Sequence, residues 1–177
     1  GISLRFSPVK ETMLEAMRLC NEKSKIVSFD LNLRYELWGL SESFKETVLE
    51  AVSYSSIVFG NLHEEFLLIY DGNEDTLDKH ISEKQTFICR DAHNGALGIT
   101  NKDKVISNAI PISPVDSVGA GDAFNTGFIY ASCCGKDIEE SLDIGNQVAA
   151  FKLLGSGARH LPTKELLDDF NKKYQIN

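Results

Sequence analysis

The sequence predicts an α/β protein, a mainly parallel sheet flanked by helices. Three observations carry the prediction. Short apolar runs of β type at 26–29, 57–59 and 86–90 alternate with segments whose apolar residues recur at helical spacing. Polar or glycine-bearing loops follow the strands, and the last third of the chain is almost wholly helical. Such alternation builds right-handed βαβ units, in which ligands collect at the carboxyl ends of the strands.

Residues 1–4 read as the tail of a strand, and Ser7-Pro8 as a helix start with proline in the first turn. Val9, Met13, Leu14, Met17 and Cys20 mark a helix over 9–22. The run 26–29 is a strand ending at Asp30, with a polar, turn-containing segment after it. Phe44, Val48, Leu49 and Val52 mark a helix over 42–54. Residues 57–59 form the next strand, stopped by Gly60-Asn61. A helix over 64–70, a turn at Asp71-Gly72-Asn73 and a helix around Leu77 follow. Strands come at 86–90 and 96–100, and the turn Asn101-Lys102-Asp103 opens a hairpin to 105–106. Helices over 120–134, 138–154 and 164–173 complete the chain. No repeat, low-complexity stretch or linker divides the 177 residues, so they read as a single domain.

The composition is that of a soluble globular protein: 42% hydrophobic, 25% charged, 13 Gly and 4 Pro. No apolar run approaches the ~20 residues that cross a bilayer. The longest, 66–70 and 148–154, are short or interrupted by Lys152. Arg5, Lys10 and Glu11 break the first stretch before a signal-peptide core develops. A net charge of −8 with scattered basic residues offers no cationic face for nucleic acid. The four cysteines, Cys20, Cys89, Cys133 and Cys134, form no C-x-x-C and read as reduced, mostly buried side chains. The expectation is a cytoplasmic protein with neither membrane nor nucleic-acid partners.

The most informative stretch is Asp116-Ser117-Val118-Gly119-Ala120-Gly121-Asp122-Ala123-Phe124. Small residues let a ligand approach the backbone, and a helix begins there with its free N–H groups pointing into the loop. That is an anion hole suited to phosphate oxygens. Asp122, in the first helical turn, sits oddly beside an anion unless it serves as a base. A base there could take a hydroxyl proton as that hydroxyl attacks a phosphoryl group held over the loop. A plain helix start, with glycine for the turn and aspartate on the dipole, would use the same residues. Other phosphate motifs fail: Phe124 stands where G-x-G-x-x-G needs its third glycine, and no Gly-Lys-Ser/Thr occurs.

Three companions follow strands or helices. Asp30, Asn32 and Arg34 alternate, so an extended segment would present them on one side, with Arg34 as a fork for a carboxylate or polyol. A solvated turn is the plain alternative. In Asn61-Leu62-His63-Glu64, Glu64 either holds Mg²⁺ through water or belongs to a helix cap. Gly155-Ser156-Gly157-Ala158 can lie against a flat ring, or simply end a helix.

Taken jointly, these segments resemble the ribokinase/PfkB carbohydrate kinases. Residues 116–124 are similar to the signature D-T-x-G-A-G-D-x-F, with Ser117 for Thr, and Asn61…Glu64 to the N-x-x-E magnesium motif. The ending Gly157-Ala158-Arg159-His160-Leu161-Pro162 resembles the closing loop of such kinases. Phe29-Asp30-Leu31-Asn32-Leu33-Arg34-Tyr35-Glu36-Leu37-Trp38 is most similar to a segment of 2-keto-3-deoxygluconate kinases, and fructokinases carry a related one. One departure is Ala92 where glycine is common, with Asp91 adding negative charge near the triphosphate.

The resemblance implies a ribokinase-like three-layer sandwich that phosphorylates a sugar or sugar acid with ATP. It implies Asp122 as base and the N–H groups of Gly119, Ala120 and Gly121 as stabilisers of the transferring phosphoryl. Asn61 and Glu64 would position Mg²⁺, mostly through water. Arg34, supported by Asn32, would contact the substrate. Arg90, Gly95, Asn146, Gly155 and Gly157 would surround the nucleotide. Asp116 and Val118 would offer backbone carbonyls to K⁺. The family's first βαβ units and β lid are not in this sequence. It is therefore expected to be the C-terminal nucleotide-binding and catalytic part of a larger kinase, itself a homo-oligomer.

Overall fold

Strands β1 (Ser28–Asp30), β2 (Ile57–Asn61) and β3 (Thr86–Asp91) pair in parallel in a computed structural model that describes residues 1–70 and 72–176. The register sets Phe29 beside Val58, and Val58 beside Phe87. Val58, Phe59 and Gly60 are all buried, because helix-flanked parallel strands have both faces covered. Gly60 therefore belongs to β2 instead of stopping it. A Cβ there would lie 2.7 Å from Leu31 Cδ1 and 3.0 Å from the Phe66 ring, so this glycine marks close packing.

The chain divides into two compact units, Gly1–Arg90 with Ile99–Lys104, and Asp91–Gly98 with Val105–Asn177. In the first, the parallel strands are accompanied by α1 (Val9–Glu22), α2 (Tyr35–Trp38), α3 (Glu42–Ser53) and α4 (Leu67–Ile69). Helix α1 starts one residue later than proline at its first position would require, because Pro8 is its N-cap. Helix α3 is capped by Ser41, whose hydroxyl accepts the Phe44 N–H at 3.2 Å. Its Phe44, Val48 and Val52 are buried as the spacing predicts, Leu49 is half-buried, and Ala51 joins the buried face.

Two predicted elements take other forms. Residues Ile2–Arg5 make a 3-10 turn, not a strand tail: Arg5 donates to the carbonyls of Leu33 (2.7 Å) and Gly39 (2.9 Å), which ties the turn to the loop after β1. The helix expected over 64–70 begins earlier, with a π turn over Leu62–Phe66 that runs into α4. The wider turn carries Glu65 and Phe66 into the core. Around Leu77, a 3-10 stretch (Glu74–His80) capped by Asn73 replaces a full helix. Asp71, part of the predicted turn, lies outside the described residues.

In the second unit, α5 (Ala120–Cys133) packs on α6 (Ile138–Leu153), and α7 (Lys164–Tyr174) lies against α6. Gly127 and Gly145 permit that closeness. A Cβ on Gly127 would stand 2.9 Å from the Ile144 carbonyl, and one on Gly145 would stand 2.9 Å from the Phe124 ring. Asp137 and Glu140 form a reciprocal capping box at the start of α6, and Thr163 caps α7. Phe170 of α7 meets Phe151 edge-on at 5.9 Å. Strands β4 (Gly95–Ile99) and β5 (Lys104–Ser107) neighbour each other across a turn closed by the Thr100 N–H and the Asp103 carbonyl, the predicted hairpin.

Of the cysteines, Cys89 alone is buried, and burial pushes its thiol well above the ordinary range. Cys20, Cys133 and Cys134 are exposed, against the expectation, because they lie toward the C-terminal ends of α1 and α5, off the packed faces. Among the described residues, no helix is long and apolar enough to cross a membrane.

Candidate active site

The chemistry-bearing residues fall in both units. In the first unit they gather where β1, β2 and β3 end. Asp30 takes both arms of the Arg90 guanidinium, at 3.0 and 3.1 Å, and Arg90 Nη2 lies 3.8 Å from Glu65 Oε2. That fork ties Arg90, which the resemblance expects beside the nucleotide, into a clamp across the strand ends.

Glu65 was not singled out by its sequence position, yet it organises this end of the sheet. It is 8% exposed, its Oε1 accepts the Leu33 N–H at 2.6 Å, and its Oε2 accepts the Asn61 N–H at 2.8 Å. One carboxylate thus holds the loop after β1 to the end of β2. Its only sequence signal is its place beside Glu64, directly before the apolar run 66–70.

The loop itself is not extended. Asn32 and Arg34 have φ of +35° and +49°, so the alternation argument fails for them. Asp30 Oδ1 accepts the Asn32 N–H at 3.2 Å, and Glu65 takes the next N–H, that of Leu33, winding the chain into a turn. Asn32 is half-buried, while Arg34 is exposed and starts α2. The guanidinium is available to an incoming anion.

Asn61 caps the π turn, its Oδ1 accepting the Glu64 N–H at 2.8 Å. That oxygen holds the backbone at the position where the resemblance expects Mg²⁺ to be reached through water. Glu64 is exposed. Among the described residues no three His, Cys, Asp or Glu side chains cluster as a metal site. A lone carboxylate suits Mg²⁺ that arrives on phosphates with most of its water.

In the second unit, α5 opens on Gly119, which is left-handed at φ +82°. A Cβ there would press on Ala158 Cβ at 3.0 Å, so glycine is needed for both conformation and closeness. The Ala120 N–H bonds the Ser117 carbonyl at 3.1 Å, which removes it from the predicted trio. Among the described residues the N–H groups of Gly119, Gly121 and Asp122 have no partner. Asp122 is exposed on this first turn. Uncommitted donors and a carboxylate therefore meet at one helix start.

Asp116 fastens that loop. Its carboxylate accepts the N–H of Val118 at 2.9 Å and of Gly157 at 2.7 Å. These two bonds, helped by the nearby Lys152 charge, hold its pKa below the usual carboxylate range. Val115 N–H bonds the Leu153 carbonyl at 2.7 Å, and the Asp116 carbonyl accepts the Lys152 ammonium at 2.6 Å. Asp116 and Gly157 are thus brought together. The Asp116 carbonyl expected to bind K⁺ already holds a cation, so a potassium ion does not fit there; Val118 is an exposed loop residue.

The remaining predicted nucleotide contacts brace the backbone. Asn146 donates from Nδ2 to the carbonyls of Ser107 and Asn108, both at 3.2 Å, and to Ser107 Oγ at 2.8 Å. Gly95 faces the same segment: a Cβ on it would sit 2.1 Å from the Ser107 carbonyl. The flat ring that lies on Gly155 is the chain's own His160, into which a Cβ would run at 2.2 Å, and His160 stacks on Phe151 at 5.0 Å.

The family model described as pfkB family carbohydrate kinase matches residues 3–165. The 5-dehydro-2-deoxygluconokinase of Clostridium perfringens is 26% identical over 181 residues, covering 98% of this chain and 54% of that protein. The fructokinase of Vibrio cholerae O395, solved with fructose, ADP and calcium ion, superposes with a TM-score of 0.85 at 26% identity, over 96% of this chain and 58% of the other. The aminoimidazole riboside kinase of Salmonella enterica, solved with aminoimidazole riboside and an ATP analog, gives 0.83 at 26%, over 96% and 60%. The fold is thus ribokinase-like, and the chain spans little more than half the length of these relatives.

Proposed function

From the premise that this chain belongs to the PfkB family of carbohydrate kinases, we propose that it is the C-terminal nucleotide-binding and catalytic part of a cytoplasmic ATP-dependent sugar kinase. The observation that carries this reading is the start of α5, where uncommitted N–H groups and the exposed Asp122 share one turn. Asp122 takes the proton of the acceptor hydroxyl as its oxygen attacks the γ-phosphorus and the bond to ADP breaks. The N–H groups of Gly119, Gly121 and Asp122 meet the charge on the transferring phosphoryl. Mg²⁺, when bound, neutralises charge on the phosphates, and Glu64 would hold it through water.

The acceptor is a keto-deoxygluconate, 2-keto-3-deoxygluconate in the first instance. Exposed Arg34 supplies a charge for its carboxylate, and Asn32 supports the turn. The likeness to a fructose-bound structure favours fructose as the second reading. ATP consumption should be measured with 2-keto-3-deoxygluconate, its 5-dehydro-2-deoxy isomer, fructose and ribose, using the protein and its Asp122→Asn variant. The variant should lose about 10²–10⁴-fold in kcat. Unchanged turnover would remove Asp122 from the mechanism. Loss of Arg34 should raise KM for the acids and leave fructose untouched.

A further inference from the structure

Lys152 is a buried charge that the mechanism above does not use. It lies on α6 among apolar neighbours in sequence, and it is 0% exposed. An ammonium removed from water needs strong acceptors, and a core position is normally filled by an apolar side chain at lower cost. Here Nζ donates to the backbone carbonyl of Asp116 at 2.6 Å, three residues before Gly119. The same residue is gripped elsewhere: its N–H faces the Leu153 carbonyl, and its carboxylate accepts from Val118 and Gly157. The ammonium is therefore fixed to the most constrained residue of the glycine loop, on the approach to the positive end of α5.

We propose that Lys152 is a built-in monovalent cation of this loop, which fills the place of a free potassium ion and makes phosphoryl transfer independent of K⁺. The proposal rests on the reading of 116–122 as the phosphoryl-transfer loop. An ammonium and K⁺ carry the same charge and seek the same carbonyl oxygens, and two cations on one carbonyl repel each other. A tethered ammonium is always present and costs no binding step. Lys152 acts through Asp116, as a positioning residue: it holds the carbonyl, sets the loop, and adds positive charge behind the N–H groups that receive the phosphoryl.

The test has two arms. Rates are measured from 0 to 100 mM K⁺, on the order of physiological ionic strength, with tetramethylammonium as the balancing ion. The wild type should change less than twofold. Lys152→Ala should fall at least tenfold without K⁺ and recover on its addition, whereas Lys152→Met should fall equally and not recover. A wild type stimulated more than fivefold by K⁺ overturns the proposal, as does a folded Lys152→Met variant with wild-type turnover. The second arm does not use activity. Crystals of the wild type soaked in thallium(I) should show no thallium at the Asp116 carbonyl, and those of Lys152→Ala should show it. Thallium at that carbonyl in the wild type overturns the proposal whether or not any sugar is phosphorylated. Absence of turnover with every sugar, alongside the expected thallium pattern, would instead count against the kinase reading alone.

Discussion

Replacing Glu65 by glutamine keeps the shape of the side chain and removes its charge. The carboxylate accepts two backbone N–H groups, from Leu33 at 2.6 Å and Asn61 at 2.8 Å, with Arg90 Nη2 at 3.8 Å. An amide has one acceptor oxygen, so its NH₂ must face one of those N–H groups. Losing a hydrogen bond to a charged acceptor costs ~1.5–3 kcal/mol, and stranding a buried donor costs ~1–3 kcal/mol, two effects that overlap. The sum expected is about 2–4 kcal/mol, or a fall in Tm of about 4–16 °C for a chain of this length. Urea and thermal unfolding measure it. The neighbouring Glu64→Gln, on an exposed side chain, should stay within about 0.5 kcal/mol of wild type. If Glu65→Gln were equally silent, or Glu64→Gln equally damaging, the clamp at the strand ends would be misassigned.

Other outcomes follow from local geometry. Gly95→Ala should destabilise by about 3 kcal/mol or more, read in urea, since φ is +102° and the new Cβ would enter the Ser107 carbonyl. Ala92→Gly should stabilise by about 0.5–1 kcal/mol, read as a higher urea midpoint, because Ala92 holds φ +39°, which glycine adopts without strain. The stability that Asp116 adds through its lowered pKa is full above the ordinary carboxylate range and is lost as pH falls through its depressed value. The gap in urea midpoint between wild type and Asp116→Asn should therefore be wide at pH 7 and narrow in acid. An equal gap at both pH values would mean that the charge is not responsible.

The helices were legible because their apolar faces are local: Phe44, Val48 and Val52 recur at helical spacing and are buried on one side of α3. The glycine loop was legible for the same reason. Gly60 misled because glycine serves two purposes, turning and close packing, and only the positions of Leu31 and Phe66 decide between them. Arg90 looked available in the sequence because its partner, Asp30, is sixty residues away. Lys152 reads only as the interruption of an apolar run, and Glu65 as one of two adjacent acids. Both are buried charges whose acceptors or donors are backbone groups of distant loops, a pairing that leaves no pattern in the residue types.

The packing of α5 on α6 has a mechanical consequence. Gly127 lies five residues after Asp122, about 7.5 Å further along the same helix. Because it touches the Ile144 backbone with nothing between them, this contact acts as a depth stop, setting how far α5 slides along its neighbour. Any methyl added there would push the whole rod, and its first turn would move by the same amount. The alignment of the loop is therefore gauged about a helix turn and a half away, at the buried contact of Gly127 with Ile144.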